Sequence, residues 1–329
     1  MSKLLPLVHL STLRPVIAGL RKRGVDPEVV LEGVGLNEVA VESDETVVHV
    51  MVIHQFVENC AKAVGDPKFC STVASELDPT GWPMIQEALQ RAGTLGDFLN
   101  IYIKGANDVA TSVTAYLEVR GDKAYFGEER KFRPTIIPAQ NDGFMISLAL
   151  SILERTLPQF ERSQVTVTVC DPSVLCERFR TIQMLKGDVM GSRIQFPSQW
   201  LSMPIHDQAP ELPEGRGSAK VFDPKFLPGF RSLLRQNIGS GGLSAEMAAK
   251  LAAMSQSKLA RALATRGTDI SSEINAAKLE YAQDQLLHST RSIEEISNSL
   301  GYSDPSNFAR SFSKAMKQSP SLFRRNQRK

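Results

Sequence analysis

The sequence predicts an α+β protein: N-terminal helices packed on an antiparallel sheet, followed by an all-α C-terminal domain with two helix-turn-helix units. Two stretches that alternate apolar and polar residues indicate the sheet, and two matching cap-and-helix patterns after residue 240 indicate the units. A region rich in proline and glycine separates these halves. We therefore expect domains at 1–205 and 226–329, joined by a linker at 206–225.

The N-terminal half mixes two kinds of periodicity. Apolar residues recur at helical spacing within 47–65, 95–102 and 148–153, which predicts three helices. Residues 113–119 and 165–169 alternate instead, as half-buried strands do, so an antiparallel sheet covered by helices is favoured. Seven Pro and Gly residues between 204 and 228 then interrupt the periodicity, which is typical of a linker.

Composition and charge narrow the class of protein. The 329 residues suffice for two domains, and 42% hydrophobic with 22% charged residues is typical of a globular protein. Residues 217–329 hold 17 Lys and Arg against 9 Asp and Glu, a net +8, which leaves −6 for the rest of a chain of net charge +2. A basic C-terminal part favours DNA binding, because neutralised phosphates release counterions. A merely solvated basic end is the alternative.

Other kinds of site lack their sequence signals. The four cysteines form no CxxC pair, so we expect buried, reduced thiols, and His49 and His54 are poorly spaced for a metal. No phosphate loop, nucleophile elbow or catalytic acid pair occurs, which predicts no cofactor and no enzyme. Without a signal peptide or an apolar run of ~20 residues, a cytoplasmic protein with no membrane contact is expected.

The first helix-turn-helix pattern runs from Leu243 to Leu263. Ser244 and Ser255 are placed to cap its two helices. The residues predicted to face inward are Met247, Ala248, Leu251, Leu259, Ala262 and Leu263. A recognition helix presents its N-terminal residues to base edges. The predicted DNA-binding residues of this unit are therefore Gln256, Ser257, Lys258 and Arg261.

The second pattern runs from Ser292 to Phe312. Ser292 and Glu295 form a capping box, Gly301 permits a left-handed turn, and Asp304 with Pro305 begins the next helix. Phe308 and Phe312 are predicted to face inward. A further short helix begins at Ser319-Pro320 and is predicted to turn one arginine outward, toward a phosphate. The predicted DNA-binding residues here are Ser306, Asn307, Arg310, Lys314 and Arg324.

A long amphipathic helix with Ile274, Leu279, Ala282 and Leu286 inward is predicted between the two units. If it holds them about 34 Å apart, one chain reads two successive major grooves. The alternative is a helical bundle whose caps and charges serve stability alone.

These residues resemble the DNA-binding domain of the AraC/XylS transcription regulators. The characteristic run is SIEEISNSLGYSDPSNFARSFSK at 292–314, followed by SPSLFR at 319–324. Three positions depart from the family: Lys317 stands where Gly is frequent, Lys278 where Arg is usual, and Ala260 at a base-reading position. Because alanine cannot hydrogen bond, we expect the first unit to read fewer bases.

The N-terminal half is similar to the arabinose-binding-like domain of one branch of that family, through GDP at 65–67, GTLGDF at 93–98 and IQFPSQWLSMP at 194–204. The resemblance implies binding of a small-molecule effector, a homodimer, double-stranded promoter DNA and contact with RNA polymerase, most often as an activator. It does not identify the effector.

Two rival functions stay open at this stage, an architectural DNA-binding protein without effector and a regulator whose N-terminal half is an enzyme. Within that half, Trp82 is an expected core or surface anchor that could instead line a pocket. Arg130, Lys131 and Arg133 form a cationic group that could meet an anionic effector, although a solvated loop is the favoured interpretation.

Overall fold

The computed structural model describes residues 5–42, 46–79, 82–205, 226–238 and 243–327. It divides the chain into an N-terminal unit, Pro6–Phe222, and a C-terminal unit, Asp223–Lys329. The linker predicted at 206–225 and the glycines at 239–242 lie outside the described residues.

The N-terminal unit begins with a small two-stranded sheet and a layer of helices. Strands β1 (Leu7–His9) and β2 (Val47–His49) pair antiparallel. The helices of this layer are α1 (Arg14–Lys22), α2 (Pro27–Glu32), α3 (Glu38–Glu42), α4 (Val50–Val64), α5 (Phe69–Glu76), α6 (Pro83–Arg91) and α7 (Leu95–Val109). The predicted helix at 95–102 is confirmed within α7. The helix predicted at 47–65 is confirmed as α4 from Val50 onward, whereas residues 47–49 form strand β2 instead. The α7 helix begins at a capping box of Thr94 and Asp97, which the sequence prediction did not use.

The main sheet follows, interrupted by one long helix. Its strands are β3 (Val113–Arg120), β4 (Lys123–Arg130), β5 (Thr166–Val169), β6 (Gln183–Lys186) and β7 (Gly191–Pro197), and α8 (Ala139–Thr156) separates β4 from β5. The strand order is β3-β4-β7-β5-β6. The two predicted strands are confirmed as β3 and β5, and the helix predicted at 148–153 is confirmed within α8. The sheet is antiparallel as predicted except that β6 joins β5 in parallel.

The helices α7 and α8 cover this sheet. The α7 helix contacts β3, while α8 contacts β5 and β7. Most of the α8 surface is buried, because α4 and α5 pack against it as well. The main hydrophobic core therefore lies between the helical layer and the sheet, with α8 at its centre.

The C-terminal unit is helical throughout its described residues. Its helices are α9 (Phe226–Asn237), α10 (Ala245–Leu251), α11 (Gln256–Ala264), α12 (Ile270–His288), α13 (Ile293–Ser299), α14 (Pro305–Met316) and α15 (Pro320–Gln327). At ~1.5 Å per residue, the long helix α12 spans about 28 Å. It contacts α9, α10 and α11 on one part of its surface and α13 and α15 on another.

The long helix differs from its prediction in one respect. Ile274, Ala282 and Leu286 are buried as expected, but Leu279 is only half-buried. Glu273 is buried instead, and Arg231 of α9 donates to its carboxylate at 2.7 and 3.0 Å. Because neighbours contact α12 from several sides, its buried positions do not follow a single stripe.

None of the described helices combines the length and the apolarity that a bilayer-spanning helix requires.

Candidate nucleic-acid interface

Both helix-turn-helix units begin their helices with the predicted caps. The Ser244 hydroxyl accepts a hydrogen bond from the Met247 amide at 3.1 Å, and Ser255 accepts from the Lys258 amide at 3.3 Å. In the second unit, the Ser292 amide donates to the Glu295 carboxylate at 2.6 Å, which completes the capping box. These bonds satisfy amides that a helix leaves without internal partners.

Two of the side chains that accept backbone hydrogen bonds at the helix starts are carboxylates. Asp304 Oδ1 accepts from the Ser306 amide at 2.7 Å, and Pro305 occupies the first helical position. This backbone hydrogen bond lowers the pKa of Asp304, and the bond from the Ser292 amide lowers the pKa of Glu295. Both acids therefore stay ionised, where they stabilise the positive ends of α14 and α13.

The turns of the two units share one hydrogen-bond pattern. In the first, the Ala253 amide donates to the Lys250 carbonyl at 2.8 Å and the Met254 amide to the Ala249 carbonyl at 2.9 Å. The corresponding bonds of the second unit run from Gly301 to Asn298 at 3.0 Å and from Tyr302 to Ser297 at 3.1 Å. Both turns are thus Schellman motifs with one residue in the left-handed region.

The second helix of each unit exposes the predicted residues. Leu259, Ala262 and Leu263 bury one face of α11, as Phe308 and Phe312 do for α14. The opposite faces are open to solvent over the remaining predicted positions. The exposed residues are Gln256, Ser257, Lys258, Ala260 and Arg261 on α11 and Ser306, Asn307, Arg310 and Lys314 on α14.

Two of these exposed side chains bind each other. Arg310 Nη2 donates to Asn307 Oδ1 at 2.6 Å, one helical turn away. An asparagine amide can pair with adenine and an arginine guanidinium with guanine. The bond joins these two side chains on the exposed face of α14.

Arg324 does not have the predicted outward position. Its side chain is half-buried, and Nη2 donates to the Arg291 carbonyl at 2.6 Å. This bond ties α15 to the segment before α13. The alternation of Phe323 and Arg324 in the sequence could not show this carbonyl group, because only the tertiary fold brings it near Arg324. Met247, predicted inward, is 44% exposed, and Ala249 is buried instead.

A contact between α12 and the second turn was missed from the sequence. The Lys278 ammonium lies 4.8 Å from the ring centre of Tyr302, which itself packs 5.7 Å from Phe308. Burial lowers the pKa of Lys278, although the aromatic face favours its charged form. This contact fixes the turn that precedes α14, and with it the position of the candidate base-reading residues.

Arg130 of the N-terminal unit is not part of a solvated loop. Its side chain is fully buried, forms an ion pair with Asp142 of α8, and donates to the Val189 carbonyl at 3.1 Å. The cationic group predicted at 130–133 is thus divided, with Arg130 buried and Lys131 and Arg133 exposed. Trp82 is half-buried and stacks on Phe144 with ring centres 6.2 Å apart, as an anchor would.

The burial of the four thiols agrees with the sequence prediction. All four cysteines are buried and reduced, and burial raises the pKa of Cys60 to about 12 and also raises those of Cys70 and Cys170. Such thiols are poor nucleophiles. Among the described residues, no cluster of three or more His, Cys, Asp or Glu side chains is placed to hold a metal ion.

Comparison with known proteins gives two family matches. Residues 248–326 match a helix-turn-helix domain, and residues 24–173 match the N-terminal arabinose-binding domain of AraC transcription regulators. No curated protein matches the chain.

Several solved structures are similar. The transcriptional regulator CdpR of Pseudomonas aeruginosa is 17% identical, with 96% of this chain and 98% of that chain covered and a TM-score of 0.44. The C-terminal domain of AraT, a response regulator of Geobacillus stearothermophilus, is 26% identical over 30% of this chain and 82% of its own, with a TM-score of 0.28.

The arabinose-binding match lies in the N-terminal unit, which contains the mixed sheet. The helix-turn-helix match lies in the C-terminal unit, which contains the capped helices. The helix-turn-helix match contains both α11 and α14, and the arabinose-binding match contains α4 to α8. The chain therefore belongs to the AraC family of DNA-binding transcription regulators.

Proposed function

We propose that this regulator is a cytoplasmic homodimer that activates transcription from a specific promoter when a small molecule binds its N-terminal domain. In this proposal residues 1–205 bind the effector and dimerise, 206–225 form the linker, and 226–329 bind promoter DNA and bring RNA polymerase to it. An effector can act in this way only if it binds one arrangement of the two domains more tightly than another.

One observation carries the DNA-binding part. Two units with capped helices and the same turn expose polar residues at the start of the second helix and a long cation about one turn later. We assign base contacts to Gln256, Ser257, Arg261, Ser306, Asn307 and Arg310, and phosphate contacts to Lys258 and Lys314. We also propose the phosphate contact of Arg324, because its bond to the Arg291 carbonyl uses only Nη2.

The assignment of Arg310 predicts a loss of specificity. Genomic fragments of the source organism are selected on the immobilised full chain, and the affinities for a selected and a random duplex are compared in gel-shift titrations. Arg310→Ala should weaken binding to the selected site by ~1–3 kcal/mol, because a bidentate base contact is lost. Lys314→Ala should weaken both duplexes equally, since phosphates carry no sequence information.

Arg235→Ala is the matched control, because Arg235 is an exposed cation on α9 whose nearest acid, Glu280, lies 3.5 Å away. It removes the same charge outside α11 and α14 and should leave the ratio of the two affinities unchanged. If the wild-type chain binds selected and random duplexes equally, the protein is an architectural DNA-binding protein and the proposal is wrong.

A further inference from the structure

Asn307 and Arg310 lie together on the exposed face of α14. The Asn307 backbone N–H donates to the Asp304 carbonyl at 3.0 Å, so Asn307 lies in the first turn, the part of a recognition helix that faces base edges. Arg310 follows three residues later on the same side of the helix. Its Nη2 donates to Asn307 Oδ1 at 2.6 Å. The two side chains therefore meet on the surface that is assigned to base contacts.

The chemistry of the two groups sets the orientation of the Asn307 amide. A guanidinium group carries five N–H donors and no acceptor, so only the oxygen of the asparagine side chain can bind it. The reverse orientation of the amide would place one N–H donor against another. Asn307 Nδ2 is therefore the end of the amide that stays available to DNA.

This orientation removes the usual adenine contact of an asparagine. A bidentate contact with adenine requires the amide oxygen to accept from N6 while the amide nitrogen donates to N7. The oxygen of Asn307 is bound to a cation, whose positive charge repels the partly positive N6 amino group even at the second lone pair of Oδ1. Asn307 thus offers DNA donors only, as Arg310 does.

A surface that offers only donors selects guanine. In the major groove guanine presents two adjacent acceptors, N7 and O6, whereas adenine presents an acceptor beside a donor and cytosine presents a donor. The bond to Asn307 uses one N–H of Arg310 and leaves the others for DNA. Because Asn307 is neutral, the bond also leaves the positive charge of Arg310 uncompensated.

We propose that Asn307 and Arg310 bind DNA as one unit and that each reads a guanine, so that α14 selects two G·C pairs and rejects adenine at the base pair read by Asn307. The inference rests on the proposed function, because it names the bases read by a surface assigned there to DNA. Arg310 then determines specificity at two base pairs: it contacts one, and by occupying Asn307 Oδ1 it sets which base is accepted at the other.

The first experiment locates the two base pairs. Duplexes with a randomised segment are selected on the full chain, and gel-shift titrations at low salt compare the four base pairs at each position of the selected site. The pair at which Asn307→Ala loses discrimination is the pair that Asn307 reads. For the wild type we expect G·C to be preferred over A·T at this pair by about fivefold or more.

Arg310→Ala tests the link between the two side chains. The substitution frees Asn307 Oδ1, so the preference at the Asn307 pair should change from G·C to A·T by about threefold or more. Replacing that adenine with 7-deazaadenine removes N7 and should abolish the new preference. Arg261→Ala is the matched control: the exposed Arg261 of α11 donates through Nε to the Ser257 carbonyl at 3.4 Å, not to an amide side chain. This control should keep guanine preferred at the Asn307 pair.

Base analogues test the guanine contacts in the wild-type site. At either of the two pairs, 7-deazaguanine lacks the N7 acceptor and should weaken binding by about threefold or more. Inosine keeps N7 and O6 and changes only the minor groove, so it should bind within about twofold of guanine. Both side chains are exposed, and circular dichroism verifies that each protein variant is folded.

Three results overturn the inference and leave a chain that still selects DNA. They are adenine at the Asn307 pair of the wild-type site, no base pair at which Asn307→Ala loses discrimination, and a preference for guanine that persists at the Asn307 pair in Arg310→Ala. Equal binding of selected and random duplexes by the wild type contradicts the proposed function and the inference together.

Discussion

Ala253 and Gly301 occupy the same position in the two turns, yet only one of them is glycine. Both residues are left-handed, with φ of 47° for Ala253 and 76° for Gly301. A residue with a Cβ atom is destabilised by ~1 kcal/mol or more in this region of φ, whereas glycine is not. Lys317 at the end of α14 is similarly strained, with φ of 57°, where the family often has glycine.

We therefore expect Ala253→Gly to stabilise the C-terminal unit by ~1 kcal/mol. Ala252→Gly is the control: Ala252 is buried with φ of −81°, so the same replacement should destabilise by a similar amount. Both tryptophans lie in the N-terminal unit, so urea unfolding of the C-terminal unit is followed by circular dichroism. A lower urea midpoint for Ala253→Gly would show that the left-handed conformation of Ala253 is not strained.

Glu128 predicts a pH dependence of the N-terminal unit. Burial raises the pKa of Glu128 to about 7, against the opposing effect of Arg130. A raised pKa in the folded state means that this contribution to stability is complete below the ordinary value of 4.5 and is lost as pH rises through 7. Between pH 5 and 8 the loss should be on the order of 2–3 kcal/mol.

Glu128→Gln should remove this loss, because the amide does not ionise. Tryptophan fluorescence reports unfolding of the N-terminal unit in urea, and the difference between wild type and variant is measured at each pH. His49 and His54 titrate only in the unfolded chain near pH 6.5 and contribute equally to both proteins, so the difference isolates Glu128. A difference that stays constant from pH 5 to pH 8 would show that the carboxyl is not desolvated.

At the scale of elements, a residue that caps a helix and a residue proposed to contact DNA can be tested separately. Ser255 caps α11, whereas Ser257 lies two residues further on with its side chain exposed. Ser255→Ala should cost ~1 kcal/mol of stability, as the loss of a serine cap usually does. Ser257→Ala is the same chemical change in the same turn; it should leave urea unfolding unchanged and weaken binding to the selected DNA site. If both variants lose the same stability, the separate roles of Ser255 in capping and Ser257 in DNA contact are wrong.

The elements that could be predicted are those whose chemistry is local. The capping box at Ser292, the Asp304-Pro305 start and the left-handed Gly301 each depend on residues within one turn of chain, and each is confirmed. Strand β4 was not predicted, because its inward positions include Glu128 and Arg130. Arg130 can be buried because it pairs with Asp142, which belongs to α8. The periodicity of the sequence does not show that these two residues meet.

At the scale of the whole molecule, the family and the order of its domains follow from the sequence, whereas the small apolar cleft between α7, β4 and α8 does not. The residues that line it come from α7, β4 and α8, and their proximity depends on how two helices cover one sheet. Apolar residues in a cleft and in a core have the same periodicity. The sequence therefore cannot show where these three elements leave space between them.

The two units of the C-terminal domain predict a divided footprint. If α11 and α14 enter successive major grooves, hydroxyl-radical footprinting of the full chain should show two protected segments about one helical turn, ~10 base pairs, apart. Arg261→Ala should then remove specificity in one segment and Arg310→Ala in the other, as measured by substituting each base pair of the site. The first effect should be the smaller, because Ala260 beside Arg261 cannot hydrogen bond. Loss of specificity at the same base pairs in both variants would mean that the two helices share one groove, and the model of two successive grooves would be wrong.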